Sequence, residues 1–185
     1  MIFRPYFYET IRAALFGPKL TSGQTDGYER LLNQAELLGL GDRELAYILA
    51  TAFHETAQTM QPIEEYGKGK GKPYGKPAGV YNKIYYGRGY VQLTWLQNYE
   101  TMDAKLQMRG ELVQQPELAC DPDIAAQIIM VGMRDGCFTG VGLHQFIDDR
   151  RTDFYNARKI VNALDRAADI QEYAVKHANA IVHSG

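Results

Sequence analysis

Three glutamates close together in the sequence are candidates for acid/base catalysis. The first, Glu55, lies seven residues after Ile48 and three after Ala52, at the edge of the apolar stripe of a predicted helix. Burial there removes part of the water around the carboxyl group, which favours the protonated form that a general acid needs. The position alone also allows a helix-end glutamate that turns outward or pairs with a lysine.

The other two glutamates, Glu64 and Glu65, follow Pro62 and therefore lie outside the helix of Glu55. Their direction is set by a loop, which can fold back toward Glu55. Two carboxyl groups that face each other across a gap suit glycosidic hydrolysis, in which one protonates the leaving oxygen and the other activates water or attacks the sugar. Adjacent acids in a loop are also common as solvated charge, so the pattern leaves both interpretations open.

Two other kinds of site receive no support from the motifs. The pair His54-Glu55 begins a zinc-binding HExxH motif, but Gln58 stands where the second histidine would be. The loop 67–79 is rich in glycine and lysine but contains no phosphate-binding motif. Its lysines and one neighbour either contact an anionic polymer or form a solvated, mobile surface: Lys68, Lys70, Lys72, Lys76 and Lys83.

The segment 85–95, YYGRGYVQLTW, combines two glycines that permit a tight turn with an alternating pattern. From residue 90 onward the alternation predicts a strand. One side would anchor in the core and carries Val91, Leu93 and Trp95. The other side carries Tyr90, Gln92 and Thr94. The polar side chains suit hydrogen bonds to a sugar or a water molecule, although an ordinary half-exposed strand has the same pattern.

The elements around these residues are mostly helical. Apolar periodicity and breaker residues predict helices over 5–16, 25–38, 124–133, 153–164 and 169–182, and another from Asp42, as N-cap, to Pro62. The helix 124–133 is apolar nearly all round and is predicted to be central and buried. Only 81–95 has clear strand character. We predict a mainly α (α+β) fold and a single domain, 1–185, with one small β-element and a long flexible loop.

Composition and charge narrow the range of partners and cellular locations to be expected. The chain has 185 residues and a formal charge of -2, which gives no general attraction to nucleic acid or to an anionic membrane. Cys120 and Cys137 lack CxxC spacing and are expected to be reduced, mostly buried thiols. Charged residues (Arg4, Glu9 and Arg12) interrupt the apolar N-terminal segment, and no apolar run could span a membrane. We therefore expect no signal peptide and a cytoplasmic protein.

Several motifs together resemble those of the family-19 chitinases, and more closely those of the phage endolysins that share their fold. The motifs are FHET at 53–56, EYG at 65–67, and YYGRGYVQLTW at 85–95, followed by Asn98. FTG at 138–140, NARKIVNALD at 156–165 and the N-terminal ALFGPKLT fit the same family. The resemblance covers most of the chain, and HET followed in this order by YYGRGxxQLTW is a specific combination.

The resemblance implies a lysozyme-like helical domain with one small β-element beside a catalytic cleft, and an inverting mechanism. It makes Glu55 the general acid and a second carboxylate the general base, and places Thr94 where a Ser or Thr helps to hold the attacking water. Five further residues match substrate-binding or motif positions: Gln92, Asn98, Asn162, Tyr86 and Arg88. Arg88 is as readily structural as catalytic.

The identity of the base is ambiguous at this level. The separation between Glu55 and the second acid is shorter than in plant chitinases and resembles the endolysin branch. The EYG match favours Glu65, whereas the spacing in some endolysins favours Glu64. We take Glu65 as the base and keep Glu64 as the alternative.

The resulting expectation is a peptidoglycan-degrading endolysin of the muramidase type. It would hydrolyse the β-1,4 bond between N-acetylated amino sugars and cause bacterial lysis. The alternatives are a chitinase and a non-catalytic glycan-binding protein with the same fold. Because acid/base hydrolysis needs only carboxylates and water, we expect no metal and no cofactor. The expected partner is the peptidoglycan glycan strand, with no nucleic acid and no stable membrane association. We expect a monomer, held in the host cytoplasm until a separate membrane-permeabilising protein releases it.

Overall fold

The computed structural model describes residues 1–148 and 150–184, and this part of the chain is mainly helical. Its α-helices are α1 (Arg4–Ile11), α2 (Ser22–Leu38), α3 (Asp42–Glu55), α4 (Leu96–Lys105), α5 (Glu111–Gln114), α6 (Pro122–Asp135) and α7 (Ala167–Ala180). A small antiparallel sheet joins β1 (Ile63–Glu64) to β2 (Arg88–Gly89). The predicted class, mainly α with one small β-element, is confirmed.

Local sequence explains the two ends of α2. The Thr21 hydroxyl accepts a hydrogen bond from the Gln24 backbone N–H, and the Gln24 side chain accepts one from the Thr21 N–H. This capping box satisfies two donors that the first helical turn leaves unpaired. At the other end Gly39 adopts a left-handed conformation, with φ 64°. The predicted end was therefore right, but the predicted start at residue 25 missed the capping box.

Helix α3 is the central element and carries the first glutamate at its C-terminal end. Every residue from Leu45 to Phe53 is buried. The helix packs along α7, where the ring of Phe53 meets those of Tyr173 and His177 at centroid distances of 4.8 Å and 6.1 Å. The packing of these rings fixes the end of α3, and with it the position of Glu55.

Both predicted boundaries of α3 were displaced. Gly41 is the N-cap and Asp42 is the first helical residue. The helix ends at Glu55, well before Pro62, because Ala57 and Gln58 adopt left-handed backbone angles, with φ 49° and 67°. Such angles stop a right-handed helix without any proline.

The later helices were predicted with mixed success. The buried helix predicted at 124–133 is α6, and the one predicted at 169–182 is α7. The helix predicted at 153–164 was wrong, because only a 3-10 segment, Asn156–Ile160, forms there. Further helical growth is interrupted at Ala163, which has a left-handed φ of 40°.

The predicted strand over 81–95 was also wrong except at β2. Three residues other than glycine have left-handed φ angles that an extended strand does not contain: Asn82 with 52°, Gln92 with 55° and Trp95 with 70°. Tyr90 is buried and Trp95 is 48% exposed, which reverses the predicted faces for both. Backbone hydrogen bonds between Arg88 and Leu93, of 3.2 Å and 2.8 Å, instead close a tight turn.

Two further features complete the framework. None of the helices in the described part of the chain is long and apolar enough to cross a membrane. Cys120 and Cys137 are partly buried free thiols, and burial raises the pKa of each.

Candidate active site

A cleft of about 400 Å³ opens beside the C-terminal end of α3 and gathers residues from distant parts of the chain. Five of the residues singled out in the sequence line it: Glu55, Gln92, Thr94, Asn98 and Asn162. Three aromatic side chains lie among them: Tyr74, Trp95 and Phe138. The turn after β2, the start of α4 and the segment after the 3-10 turn thus meet the end of α3 at one place.

Glu55 is held by an arginine to which the sequence analysis gave no role. Nη1 of Arg158 donates to Glu55 Oε1 at 2.8 Å, and Nε of Arg158 donates to the Asp165 carbonyl, also at 2.8 Å. The Arg158 side chain is 2% exposed and that of Glu55 is 16% exposed. The partial burial of Glu55 was therefore predicted correctly, but the cation that pairs with it was missed. The other carboxyl oxygen, Oε2, has no hydrogen-bond partner in the described residues.

His54 precedes Glu55 and adds no second cation at neutral pH. Burial lowers the pKa of its imidazole, although the charge of Glu55 opposes the shift. The imidazole is therefore neutral, and Arg158 supplies the positive charge that faces Glu55.

Glu64 and Glu65 lie on opposite faces of the small sheet. Glu64 stands opposite Arg88 in the register of β1 and β2. Its carboxylate contacts Lys68 Nζ at 2.8 Å and accepts a hydrogen bond from the Tyr86 hydroxyl at 2.5 Å. Both hydrogen bonds lower the pKa of Glu64, and the one from Lys68 has the larger effect. Glu64 is thus an ionised carboxylate within a charged cluster.

Glu65 lies on the cleft side of the sheet. It accepts hydrogen bonds from the Tyr74 hydroxyl at 3.1 Å and from the Gly87 N–H at 3.2 Å. A Cβ atom at Gly87 would lie 2.8 Å from Oε1 of Gln92, so the Gln92 side chain occupies this same face. Because Tyr74 and Gln92 both line the cleft, Glu65 borders it through them, although it is not itself a lining residue.

Tyr86 and Arg88 lie behind the sheet, away from the residues that line the cleft. Arg88 is 5% exposed, and its guanidinium carbon stands 3.6 Å from the centre of the Tyr86 ring. Its Nη1 also bonds to the Tyr99 hydroxyl at 3.1 Å. In this position the two side chains contact Glu64 and the turn, and neither lines the cleft.

Gln92 holds the turn in place while it lines the cleft. Its side-chain Nε2 donates to the carbonyls of Ile63 and Gly89, at 3.1 Å and 3.3 Å. In contrast, the polar side chains of Thr94, Asn98 and Asn162 make no hydrogen bond within the described residues. Their hydroxyl and amide groups remain available to a ligand.

The aromatic lining is the part of the site that the sequence analysis did not identify. Trp95 was expected in the core, but its left-handed backbone turns the indole outward. Its ring meets that of Tyr74 edge-on, at a centroid distance of 5.4 Å. Tyr74 comes from the glycine- and lysine-rich loop. It is the aromatic residue of that loop, and this was the one sign in the sequence that the loop contributes to the site. Flat aromatic faces beside hydrogen-bonding amides suit a sugar, which has apolar C–H faces and polar edges.

The arrangement offers acid/base groups rather than a metal centre. Among the described residues, no group of three or more His, Cys, Asp or Glu side chains is placed to hold a metal ion. What the cleft presents is one partly buried carboxyl group, a second carboxylate at its border and a row of uncharged hydrogen-bonding groups.

Solved structures share this fold. Chitinase C from Streptomyces griseus HUT6037 matches with a TM-score of 0.60 and 23% identity over 95% of this chain and 91% of that one. A mutant of chitinase C gives 0.54 and 23%, over 95% and 88%. A bacterial family 19 chitinase gives 0.50 and 19%, over 98% and 95%. No protein-family model matches the chain, and the curated proteins give no match. The likeness establishes the chitinase-like fold that the motifs predicted.

Proposed function

We propose that the chain is a glycoside hydrolase that cleaves the β-1,4 bond between N-acetylated amino sugars of peptidoglycan. One observation carries the proposal: the carboxyl group of Glu55 lies partly buried in an open cleft whose other polar groups are uncharged. Such a cleft binds a neutral sugar chain and places a proton donor against it. In this proposal residues 1–185 form a single catalytic domain.

Glu55 is the general acid. Arg158 fixes Oε1 and leaves Oε2 without a partner, so Oε2 is the atom that carries the proton. That proton passes to the glycosidic oxygen as its bond to the anomeric carbon breaks. The fixed orientation matters because proton transfer requires the donor and the leaving oxygen to be within hydrogen-bond distance.

Glu65 is the general base. It removes a proton from a water molecule whose oxygen forms the new bond to the anomeric carbon, and the Thr94 hydroxyl helps to hold that water. Attack from the face opposite the leaving group inverts the anomeric configuration. The geometry supports Glu65 over Glu64, because Glu65 shares a face of the sheet with Gln92 and bonds to Tyr74, whereas Glu64 is bound within the cluster behind it.

The remaining residues hold the sugars. The amides of Asn98 and Asn162 donate to and accept from hydroxyl and N-acetyl groups, since each has both kinds of atom. Trp95 and Tyr74 pack against the sugar rings. The amide of Gln92 is hydrogen-bonded to the sheet. Its side chain therefore forms part of the cleft wall, in addition to any contact that it makes with the ligand.

The proposal extends to biology through the endolysin resemblance. The enzyme would act on the cell wall from within and would lyse the host after another protein opens the membrane. It would work as a monomer, without cofactor, nucleic acid or stable membrane association. Purified enzyme should therefore lyse bacteria whose membranes have been permeabilised and leave intact cells untouched. If neither the permeabilised nor the intact bacteria are lysed, the biological part of the proposal is contradicted.

A chitinase is the second candidate, because the matched structures are named as chitinases. Digestion of purified peptidoglycan and of chitin, with analysis of the reducing ends, separates the two. We expect muropeptides from peptidoglycan, with N-acetylmuramic acid at the new reducing end. Chitin fragments together with intact peptidoglycan would show that the substrate is misassigned.

Catalysis itself is tested with Glu55→Gln, which keeps the shape and removes the acid. We expect roughly a thousandfold or greater loss of turnover, in line with general acid catalysis, with an unchanged circular dichroism spectrum. A non-catalytic glycan-binding protein would instead retain any lytic effect in this variant.

The base is tested with a matched pair of neighbours. Glu65→Gln should abolish turnover, while Glu64→Gln should retain activity and lose thermal stability through its cluster. The opposite result would make Glu64 the base. An NMR spectrum recorded early in the reaction checks the stereochemistry, and a product of retained configuration would exclude the inverting mechanism.

A further inference from the structure

We infer that Lys76 forms a subsite for a carboxylate of the peptides that peptidoglycan carries, and that it directs the enzyme to peptide-bearing strands. This inference rests on the proposed function, because it assigns a specificity-determining residue beside the same cleft. It gives the lysine-rich loop a role that the composition of the loop alone left open.

A second groove continues the cleft toward Lys76. This groove has a volume of about 250 Å³, and Lys76 lines it together with Tyr74 and Trp95. Tyr74 and Trp95 also line the main cleft. A glycan strand bound along the two aromatic rings therefore carries its substituents into a space that the Lys76 side chain borders.

The loop that presents Lys76 is folded on itself. Gly69 and Gly75 cross so closely that a Cβ atom on Gly75 would lie 1.8 Å from the Gly69 carbonyl oxygen. Hydrogen bonds between the backbones of Ala78 and Lys83, of 2.8 Å and 3.3 Å, close the loop beyond this crossing. Prolines at positions 73 and 77 further restrict the backbone on both sides of Lys76. The loop thus fixes the backbone from which the Lys76 side chain lines the groove.

The charge of Lys76 is available for a ligand. Lys68, in the same loop, is paired with Glu64 at 2.8 Å. Lys76 makes no ion pair within the described residues, and its side chain is exposed. Lys70 and Lys72 are exposed as well, but they do not line the groove. Position, and not charge alone, therefore distinguishes Lys76 from its neighbours in the loop.

The chemistry of the substrate fits this position. Peptidoglycan carries short peptides with free carboxyl groups on alternate sugars, whereas chitin has no ionised group. A lysine at the side of the aromatic track would attract the peptide carboxylate and contribute nothing to an unsubstituted chain. Because the ammonium is exposed, the contact is modest, and its loss should change kcat/KM by roughly three- to fivefold.

The test compares Lys76→Gln with Lys72→Gln, which removes the same charge from the same loop. Each full-length protein is assayed on two substrates: purified peptidoglycan free of phosphate polymers, and the same material with its peptide carboxyl groups converted to primary amides. We expect Lys76→Gln to lose roughly three- to fivefold in kcat/KM on the charged substrate only. Wild type should show the same preference, and Lys72→Gln should match wild type on both.

The outcomes are distinguishable from failure of the proposed function. Wild type that cleaves charged and amidated peptidoglycan equally would overturn the subsite while leaving the hydrolase proposal intact. Equal losses in Lys76→Gln and Lys72→Gln would show a general effect of charge and would also overturn it. Wild type that cleaves neither substrate but releases fragments from chitin would overturn the proposed function itself.

Discussion

Acid should destabilise the fold through one buried histidine, His177 on α7. Its side chain is 0% exposed and packs against Phe53 on α3. Nδ1 donates to the Tyr173 carbonyl at 2.7 Å, and Nε2 accepts a hydrogen bond from the Tyr28 hydroxyl at 2.9 Å. Both bonds use the neutral imidazole, and the complete burial of the ring disfavours its charged form. Burial accordingly lowers the pKa of His177 to about 4.

The size of the effect follows from the two pKa values. In the unfolded chain an imidazole binds its proton near pH 6.5, about 2.5 units above the folded value. Below about pH 6.5 the unfolded state therefore gains a proton that the folded state refuses. The stability contributed by the neutral ring is fully present above that pH, and its loss is complete near pH 4. Between about pH 7 and about pH 5 the loss amounts to about 2 kcal/mol.

This pH interval separates the histidine from the acidic groups. Hydrogen bonds and ion pairs lower the pKa of Glu36 and of Asp135, although burial opposes both shifts. Groups of this kind lose their stabilising contribution only as the pH falls below about 4.5, the ordinary value of a glutamate. A measurement that stops at about pH 5 therefore reports mainly on histidines.

The assay is urea unfolding of wild type and His177→Gln at the two pH values. We expect the variant to be roughly 1–3 kcal/mol less stable than wild type at neutral pH, through its lost hydrogen bonds. It should, however, lose about 2 kcal/mol less than wild type on acidification. The control is Tyr28→Phe, which removes the hydrogen bond to Nε2 but keeps the buried imidazole, and it should keep the acid-induced loss of wild type. Parallel losses in wild type and His177→Gln would refute the reasoning, as would an NMR titration of folded His177 near pH 6.5.

Three further predictions concern the site. Arg158→Lys keeps the charge but not the planar guanidinium geometry, so steady-state kinetics should show a kcat lower by roughly tenfold at a similar KM. Gly75→Ala should open the loop, so that proteolysis between 67 and 79 becomes faster and activity falls roughly tenfold. The control is Gly71→Ala, which should have the smaller effect because its added Cβ meets no atom within 4 Å. Trp95→Ala should raise KM by roughly two- to tenfold, while Tyr66→Ala, on the 91% exposed tyrosine outside the cleft, should not.

Local patterns predicted the helices well where the stop signal is local. Gly39 ends α2 as expected, and the continuous apolar run of α6 is buried as expected. Apolar periodicity reports burial on one face, and a glycine reports a left-handed cap, so both can be read within one segment. The false helix at 153–164 has the same periodicity, but its backbone is diverted at Ala163.

The segment 85–95 shows why alternation alone failed. Its polar and apolar residues alternate as in a strand, yet Gln92 takes a left-handed angle. The angle is stabilised by bonds from its side chain to Ile63 and Gly89, and Ile63 lies 29 residues away. A conformation that depends on a distant carbonyl leaves no trace in the local pattern. The glycines did indicate the turn, because a Cβ on Gly87 would meet Gln92 Oε1 at 2.8 Å and Gly89 has a φ of 83°.

The residues of the candidate site likewise fall into two classes: those that a local pattern predicts and those that only tertiary packing brings together. Glu55 was predicted from its place on one helix, since the helical period decides whether a residue faces the core. Arg158 lies 103 residues further along and reaches Glu55 only because α3 packs against α7 and the segment before α7. The pairing of Arg158 with Glu55 thus depends on tertiary packing and not on the local sequence. The consequence concerns the proposed mechanism: the sequence predicted a partly buried carboxyl group, and in the structure a cation also holds one of its oxygens. For that reason Arg158→Lys, which preserves charge and disturbs orientation, probes the catalytic geometry more directly than removal of the charge would.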